Sequence, residues 1–379
     1  MIARIIAIML ASSVWGYDSA WSHYLEVTTD NTKIPGDLTD FPIALDLADI
    51  GSGHSFWTTV QTDGDDIRMT KSDGTTELPV EIVAIDTTAK TGEVHFQATG
   101  TLSGSVDTTY RLYYGNGSAT RPAIDSTYGA EAVWDSDYVM IQHFTGASAA
   151  NIDDSSSNDN DVSADGGTPA YDQTGKIGEA VDYDAGDYLV VSDADSLDFD
   201  YNESFTLSSW IYPEVSGSNQ VIISKLTQGG TWRGWEMRFG NASDDKLSFL
   251  LVGTLSSSHY QVKSNPTISI NTWTHVACVY NGSSVTMYIN GSSVATTNVY
   301  NTLSTTSINA IDVHFAIRDG SGSQYDGAID ESRVSASARS ANWIETTYNA
   351  INDANFVTYG AHTANAAASS FIPRIIIID

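Results

Sequence analysis

Acidic side chains occur at two places in this 379-residue chain where they could hold a hard cation. Asp153 and Asp154 open a polar run, and Asp326 and Asp330 lie near the other end of the chain. Ca²⁺ takes about six to eight oxygen ligands, usually including more than one carboxylate. If the first and last strands of a domain bring these segments together, the four aspartates would supply a calcium site.

The acidic pair at the second of these places has another explanation. Asp330 and Glu331 could accept hydrogen bonds from nearby backbone, or pair with Arg333 or Arg339. The chain carries 47 Asp and Glu residues, so acidic clusters also arise by chance. Calcium binding and structural pairing therefore both stay open.

Aromatic residues next to planar polar side chains suggest a second chemistry, the binding of sugars. An aromatic ring stacks on the C–H face of a pyranose, and planar polar groups bond to its hydroxyls. The candidate ligands are Trp232, Arg233, Trp235, Tyr260 and Tyr325. For each ring the alternative is packing in the core or at the edge of a sheet.

The elements that must position these residues are short β-strands. Residues 272–280 alternate apolar and polar side chains, Asn281-Gly282 turns the chain, and residues 285–289 return it to a second turn at Asn290-Gly291. Two Asn-Gly turns this close predict consecutive hairpins. Similar alternating segments recur along the chain, while the one helical spacing lies in residues 337–348. We therefore predict an all-β protein with two antiparallel β-sandwich domains and one short C-terminal helix.

Residues 132–350 resemble the laminin-G-like, or concanavalin A-like, jelly roll. The residues that carry the resemblance are Phe205-Thr-Leu-Ser-Ser-Trp-Ile-Tyr-Pro213, Trp273-Thr-His-Val276, Tyr280-Asn-Gly282 and Gly327-Ala-Ile-Asp-Glu331. The resemblance implies a lectin-like binding module in which the first and last strands lie together. It also implies a structural calcium ion, which many relatives hold at such a place.

Residues 21–117 resemble the DUF2341-type β-domain, for which no catalytic role is established. The matching segments are Asp40-Phe-Pro-Ile43, residues 62–70, Glu77-Leu-Pro-Val-Glu81 and Leu112-Tyr-Tyr-Gly-Asn116. The predicted organisation is a possible signal peptide at 1–16, the DUF2341-like sandwich at 17–121, the jelly roll at 128–362 and an apolar tail at 363–379.

Enzyme motifs are missing from the sequence. Glycosidases with this jelly roll carry their carboxylates at alternate positions of one strand, about 5–5.5 Å apart. No Glu-x-Asp-x-Glu pattern occurs, and neither does a His-Glu-x-x-His or Gly-x-Ser-x-Gly motif. The single cysteine, Cys278, lies in an alternating strand and is expected to be buried. We predict a binding protein rather than an enzyme.

The net charge and the two ends of the chain limit which partners the protein is expected to bind. A formal net charge of −30 opposes contact with nucleic acid or anionic membranes. The apolar run at residues 5–10 is too short to span a membrane and resembles a signal peptide, although a buried first strand or helix is the alternative.

Two functions remain. The first is a secreted or surface-displayed protein that binds a glycan or cell-surface polysaccharide. The second is a structural subunit of a virion or cell-surface assembly, in which the isoleucine-rich residues 371–379 dock into a partner protein or another copy.

Overall fold

The structure is a computed structural model that describes residues 17–365, apart from positions 218, 230, 231, 241–243 and 256. Within these residues the strands form four antiparallel sheets, accompanied by one α-helix. The predicted all-β fold class is confirmed. The predicted signal peptide at 1–16 and the predicted docking segment at 371–379 lie outside the described residues.

Two of the sheets form the first sandwich. Its strands in the amino-terminal part of the chain are β1 (His23–Thr29), β2 (Leu38–Asp46), β3 (Arg68–Lys71), β4 (Glu77–Leu78), β5 (Val80–Asp86), β6 (Thr91–Leu102) and β7 (Thr108–Tyr114). One sheet has the order β2-β6-β5, and the other contains β1-β7-β3-β4. Apolar side chains from both sheets, such as Phe41, Phe96 and Leu112, share one core.

Two eight-stranded sheets form the second sandwich. Its strands are β8 (Tyr138–Gln142), β9 (Val162–Gly166), β10 (Ala170–Thr174), β11 (Glu179–Tyr183), β12 (Tyr188–Val191), β13 (Ser204–Pro213), β14 (Gln220–Leu226), β15 (Gly234–Phe239), β16 (Leu247–Thr254), β17 (Ser258–Ser264), β18 (Thr274–Asn281), β19 (Val285–Ile289), β20 (Ser292–Val294), β21 (Thr296–Asn301), β22 (Val313–Phe315) and β23 (Gly327–Ser335). We call the sheet β10-β11-β23-β13-β18-β19-β20, in which β8 also pairs with β23, the junction sheet. We call the sheet β21-β17-β16-β15-β14-β22-β12-β9 the distal sheet.

The predicted hairpins form one edge of the junction sheet. Strands β18 and β19 pair in register from Val276↔Ile289 to Tyr280↔Val285, and β19 then pairs with β20. Gly282 and Gly291 have φ angles of 85° and 74°, which a side chain would strain. The first and last strands of this sandwich, β8 and β23, pair as the jelly-roll resemblance implies.

Within residues 17–365, as far as the structure describes them, six 3-10 turns connect the strands. They are Asn31–Lys33, Leu47–Ile50, Ser55–Thr58, Glu131–Val133, Ala149–Asn151 and Asp195–Leu197. The α-helix, α1, spans Ala341–Asn352 and so begins four residues after the predicted start. Ser340 caps it by accepting a hydrogen bond from the backbone N–H of Trp343 at 3.2 Å.

Helix α1 lies between the two sandwiches. Trp343 packs edge-on against Phe41 of the first core, with ring centroids 4.9 Å apart. Tyr348 stacks on Trp210 of the junction sheet at 5.6 Å. The helix therefore joins the two sandwiches instead of only closing the second one.

The end of the described chain returns to the first sandwich. Strands β24 (Val357–Tyr359) and β25 (Thr363–Ala364) both pair with β1. The predicted organisation places residues 357–362 in the jelly roll and 363–364 in a tail, whereas the structure gives both strands to the first sheet. A strand of two or three residues carries no pattern that identifies the sheet edge it will join. Within the described part of the chain, no helix is long and apolar enough to cross a membrane.

The core of the junction sheet makes stability depend on pH. Cys278 is fully buried, as predicted, and His275 on the same strand is 1% exposed. Burial, helped by the positive charge of Arg333, lowers the pKa of His275 to about 3. Between about pH 3 and pH 6.5, this histidine is therefore protonated in the unfolded chain but neutral in the folded one.

We therefore predict that the free energy of unfolding falls as the pH is lowered from about 6.5 to 3, and that His275→Gln removes about 4 kcal/mol of this loss. Denaturant titrations at several pH values measure it. Thr286→Gln, at an exposed non-ionisable position on the neighbouring strand β19, is the control and should leave the pH dependence unchanged. An unchanged slope in His275→Gln would contradict the prediction.

Candidate functional site

Three of the five predicted sugar ligands lie in the core of the second sandwich. Trp235, Tyr260 and Tyr325 are 1%, 5% and 0% exposed and belong to one apolar cluster. Trp235 also donates its indole N–H to the carbonyl of Leu197 at 3.0 Å. These rings cannot stack on a sugar. The alternation that makes a strand amphipathic also directs its aromatic residues inward, and sequence alone does not say which face each ring takes.

The other two predicted ligands lie closer to the surface. Trp232 and Arg233 are half-buried just before β15. Trp232 packs against Leu226, Leu250 and Val252 on the side of the distal sheet that faces away from the core. Trp232 is therefore the one predicted aromatic ligand that lies outside the core.

The four predicted calcium ligands do not converge. Asp154 already accepts four hydrogen bonds, from the N–H groups of Ile141, Ser156 and Asn160 and from the Ser156 hydroxyl, at 2.7–2.9 Å. Its neighbour Asp153 is exposed. The Asp154 carboxylate is used to shape its own loop.

The other two aspartates lie in different surroundings. Asp330 accepts backbone N–H bonds from Lys176 and Ile177. Asp326 is half-buried, and burial followed by the negative charge of Asp184 raises its pKa. Among the described residues, none of the four predicted ligands belongs to a cluster of three or more metal-binding side chains. The calcium ion stays a prediction for which these residues supply no common site.

A set of polar side chains covers the outer face of the distal sheet. In β15, Trp235 and Met237 point into the core, so Glu236 and Arg238 point away from it. The same alternation applies to the neighbouring strands. We call the outward set the polar row, and its members are Ser224, Glu236, Arg238, Ser248, His259, Gln261, His314 and Arg318.

An ion pair lies at the centre of the polar row. Arg318 donates its Nε and Nη2 hydrogens to the two oxygens of Glu236, each at 2.6 Å, and Arg238 lies 3.4 Å from the same carboxylate. The guanidinium carbon of Arg318 is 4.8 Å from the ring centroid of Trp232. Such bidentate pairs hold both side chains in fixed orientations.

Two polar atoms of the row lack partners. Arg238 Nε and His259 Nδ1 are buried and form no hydrogen bond within the described protein. Burial lowers the pKa of His259, which favours the neutral imidazole. A buried polar group without a partner is unfavourable, so the polar row has hydrogen-bonding capacity that the described protein does not satisfy.

Aromatic rings stand at both ends of the polar row. Tyr300 on β21 is 49% exposed, and its ring centroid lies 4.0 Å from that of His259. At the opposite end, Tyr188 on β12 lies 6.1 Å from His314. Six interstrand steps separate β12 from β21, which at about 4.8 Å each correspond to roughly 29 Å. The row is long enough for several linked sugar units.

A different cluster lies where the two sandwiches meet. We call Glu93, His95, His143 and Glu331 the junction cluster. One ligand atom from each lies within 4.8 Å of the other three, and all four side chains are buried. Glu93 and His95 come from β6 of the first sandwich, whereas Glu331 comes from β23 of the second.

Hydrogen bonds and charges link the junction cluster. Glu93 Oε1 is 2.7 Å from His95 Nε2 and 3.3 Å from His143 Nδ1, and His143 Nδ1 also bonds to Glu331. Burial and the charge of Glu331 raise the pKa of Glu93 to about 8. Burial opposes protonation of His143, but Glu331 and Glu81 outweigh it and raise its pKa well above the usual range.

A cleft of about 270 Å³ opens beside the junction cluster. Glu81 and Arg121 line one part of it, and His143, Asp153 and Asp154 line another. Glu81 accepts hydrogen bonds from the indole N–H of Trp134 at 2.8 Å and from the Ser155 hydroxyl at 2.5 Å. The only cluster member that reaches the cleft wall is His143.

The sequence analysis missed most of these residues, although a usable signal exists. Glu93-x-His95 and Glu236-x-Arg238 each place two ionisable groups on one face of a strand. When the other positions of such a strand are apolar, charged residues at alternate positions indicate that the second face of the sheet has a separate role. Nothing in the sequence indicates that Glu331 and His143 meet Glu93.

Comparison with protein families supports part of the predicted resemblance. Residues 183–345 match the family model described as the Concanavalin A-like lectin/glucanases superfamily. This match confirms the jelly roll for that part of the chain. The resemblance of residues 21–117 to the DUF2341-type domain stays a prediction.

Solved structures and curated proteins complete the comparison. The binding domain of Paraclostridial Mosquitocidal Protein 1 is 17% identical, with a TM-score of 0.42, and the match covers 56% of this chain and 52% of that one. The botulinum neurotoxin serotype C1 binding domain is 16% identical, with a TM-score of 0.43 and coverage of 57% and 52%. The match thus spans about half the length of both binding domains.

Domain 4 of the extracellular arabinanase AbnA from Geobacillus stearothermophilus, solved in complex with arabinotriose, is 19% identical with a TM-score of 0.43. That match covers 56% of this chain and 98% of the arabinanase domain. A search of curated proteins found no match.

The hydrogen bonds of Asp154 lead to a stability prediction. Asp154→Asn replaces one acceptor oxygen with an NH₂ group, leaving the N–H of Asn160 or of Ile141 without a partner. We expect a loss of about 2 kcal/mol in the free energy of unfolding, measured by urea denaturation. Asp153→Asn makes the same chemical change on an exposed neighbour and should cost little. Equal effects of the two substitutions would show that Asp154 does not organise its loop.

Proposed function

We propose that this protein binds an extended, neutral glycan along the polar row, as a non-catalytic protein that is secreted or displayed at a surface. The observation that carries the proposal is the outer face of the distal sheet. It combines the fixed guanidinium groups of Arg238 and Arg318, unpartnered polar atoms and a ring at each end. The match to a lectin/glucanase superfamily agrees with this use of the fold.

Charge supports a neutral ligand. The whole chain carries −30, which repels acidic polysaccharides at long range. Within the row the carboxylate of Glu236 pairs with both Arg238 and Arg318 and offsets one of their two positive charges. Hydroxyl groups, which bond to fixed polar groups without adding charge, fit this surface better than carboxylate or sulfate groups.

The geometry of Glu236 supports binding rather than hydrolysis. A glycosidase uses one carboxyl group to protonate the leaving oxygen and a second as nucleophile or base. Both oxygens of Glu236 are bonded to Arg318, and the Ser224 hydroxyl donates to one of them at 3.3 Å. This carboxylate serves to hold the arginines in place.

The exposed ring at the end of the row provides the sharpest test. Tyr300→Ala removes a ring that is 49% exposed, so the fold should be retained. If the ring stacks on a sugar, we expect the Kd for a bound neutral polysaccharide to rise about tenfold. Glycan arrays identify the ligand, and calorimetric titration measures the change.

Tyr128→Ala is the matched control. Tyr128 is 39% exposed and lies in the segment between β7 and β8, away from the polar row. Its removal should leave the Kd unchanged. The proposal fails if the protein binds no glycan, or if both substitutions weaken binding equally.

A further inference from the structure

The junction cluster combines ligands that the proposed glycan site does not use. We propose that Glu93, His95, His143 and Glu331 bind one divalent transition-metal ion of the zinc type, which clamps the two sandwiches together. The ligand atoms lie within 4.8 Å of one another. They come from both sandwiches, since β6 supplies two ligands, β23 supplies one and His143 directly follows β8.

The donor set selects the class of metal. Two imidazole nitrogens and two carboxylate oxygens match the four-coordinate preference of Zn²⁺ and suit related first-row ions. Ca²⁺ and Mg²⁺ prefer oxygen ligands alone, and Ca²⁺ takes more of them. The junction cluster is therefore distinct in chemistry from the calcium site predicted from the aspartates.

A second set of residues orients the ligands. His143 presents Nδ1 to the cluster, while its Nε2 lies 3.5 Å from Glu81 Oε2. Glu81 is itself fixed by Trp134 and Ser155. A histidine ligand whose other nitrogen faces a carboxylate is a recurrent arrangement in metal sites, because the carboxylate fixes the ring and increases its basicity.

One buried carboxylate oxygen of the junction cluster has no partner. Glu93 Oε2 forms no hydrogen bond within the described residues. Glu331 bonds to both Arg333 and His143, whereas Glu93 has only the imidazoles of His95 and His143 beside it. Buried carboxylates are costly unless compensated, and a dication would supply that compensation.

The local backbone is built to bring the ligands together. Glu331 has a φ of 48°, an unusual left-handed conformation for a residue with a side chain. It lies in a bulge where the register between β13 and β23 shifts, so that Glu331 and Ser332 together oppose Ser209. Bulges of this kind redirect side chains. A Cβ atom at Gly178 would lie 2.3 Å from Glu93 Oε2, so the glycine leaves room for that carboxylate.

The cleft provides an entry path. Because His143 lines the cleft and also belongs to the cluster, an ion could reach the ligands from solvent through that side. The alternative is a buried network of ion pairs that needs no metal. The two explanations differ in what added metal does to the full-length protein.

The experiment measures metal binding directly. The full chain is treated with a chelator, dialysed and titrated with Zn²⁺ by calorimetry, and its melting temperature is recorded. We expect one ion per chain at this site and a rise in Tm of about 5 °C at roughly 100-fold excess of free Zn²⁺ over Kd. Co²⁺ should give the visible absorption bands of a four-coordinate site, and Ca²⁺ should give neither effect.

Isosteric substitutions identify the ligands. Glu93→Gln removes one carboxylate ligand while keeping the size of the side chain, so the Kd for Zn²⁺ should rise at least about tenfold. His143→Gln should weaken binding similarly. Glu345→Gln, on the exposed face of α1, is the control and should bind Zn²⁺ as the unaltered protein does.

Three results would overturn the proposal. They are the absence of Zn²⁺ binding and of Co²⁺ absorption in the unaltered protein, an unchanged Kd in both Glu93→Gln and His143→Gln, and an equal rise in Tm with Ca²⁺. The first result rests on the unaltered chain alone. It therefore remains decisive even if a substitution prevents folding.

Discussion

The need to compensate the buried charges of β23 organises the contact between the two sandwiches. Asp330, Glu331 and Arg333 all lie on this strand, and each is less than 5% exposed. Water cannot solvate them, so each must find a partner in the protein. Glu331 bonds to His143 and Arg333, and Asp330 accepts two N–H groups from the tip of the β10–β11 hairpin. Strand β6 of the first sandwich contributes Glu93 and His95 to the same place.

The two sheets of the second sandwich carry two different kinds of surface. The junction sheet directs its charged residues against the first sandwich, where they hold the molecule together. The distal sheet keeps its polar row on the other side of the apolar core, with Glu236 fixing Arg238 and Arg318. The alternation of strand residues produces both surfaces with one core between them. Residues of the polar row and residues of the junction can thus be altered independently.

The sequence predicts the strands well and the sites poorly, for a physical reason. Alternating side chains and Asn-Gly turns depend on neighbours along the chain, so the hairpins around Gly282 and Gly291 follow from local pattern. Trp235, Tyr260 and Tyr325 are residue types that can stack on a sugar. Which face of the sheet each side chain takes, however, depends on the strand register across the whole sheet. Glu93 and Glu331 are more than 200 residues apart in sequence, and their approach depends on how two sandwiches dock. The start of α1 differs because Ser340, not Ser337, caps the helix.

The pairing of β24 and β25 with β1 means that the second sandwich is an insertion within the first. The chain enters it after β7 and leaves it through α1, so two covalent crossings tether the inserted module instead of one. A module attached at two points moves less freely than one attached through a single linker, so its distal sheet is held within a restricted range of orientations relative to the first sandwich. Because β24 and β25 still pair with β1, the first sandwich keeps its sheet complete while it carries a second domain between β7 and α1.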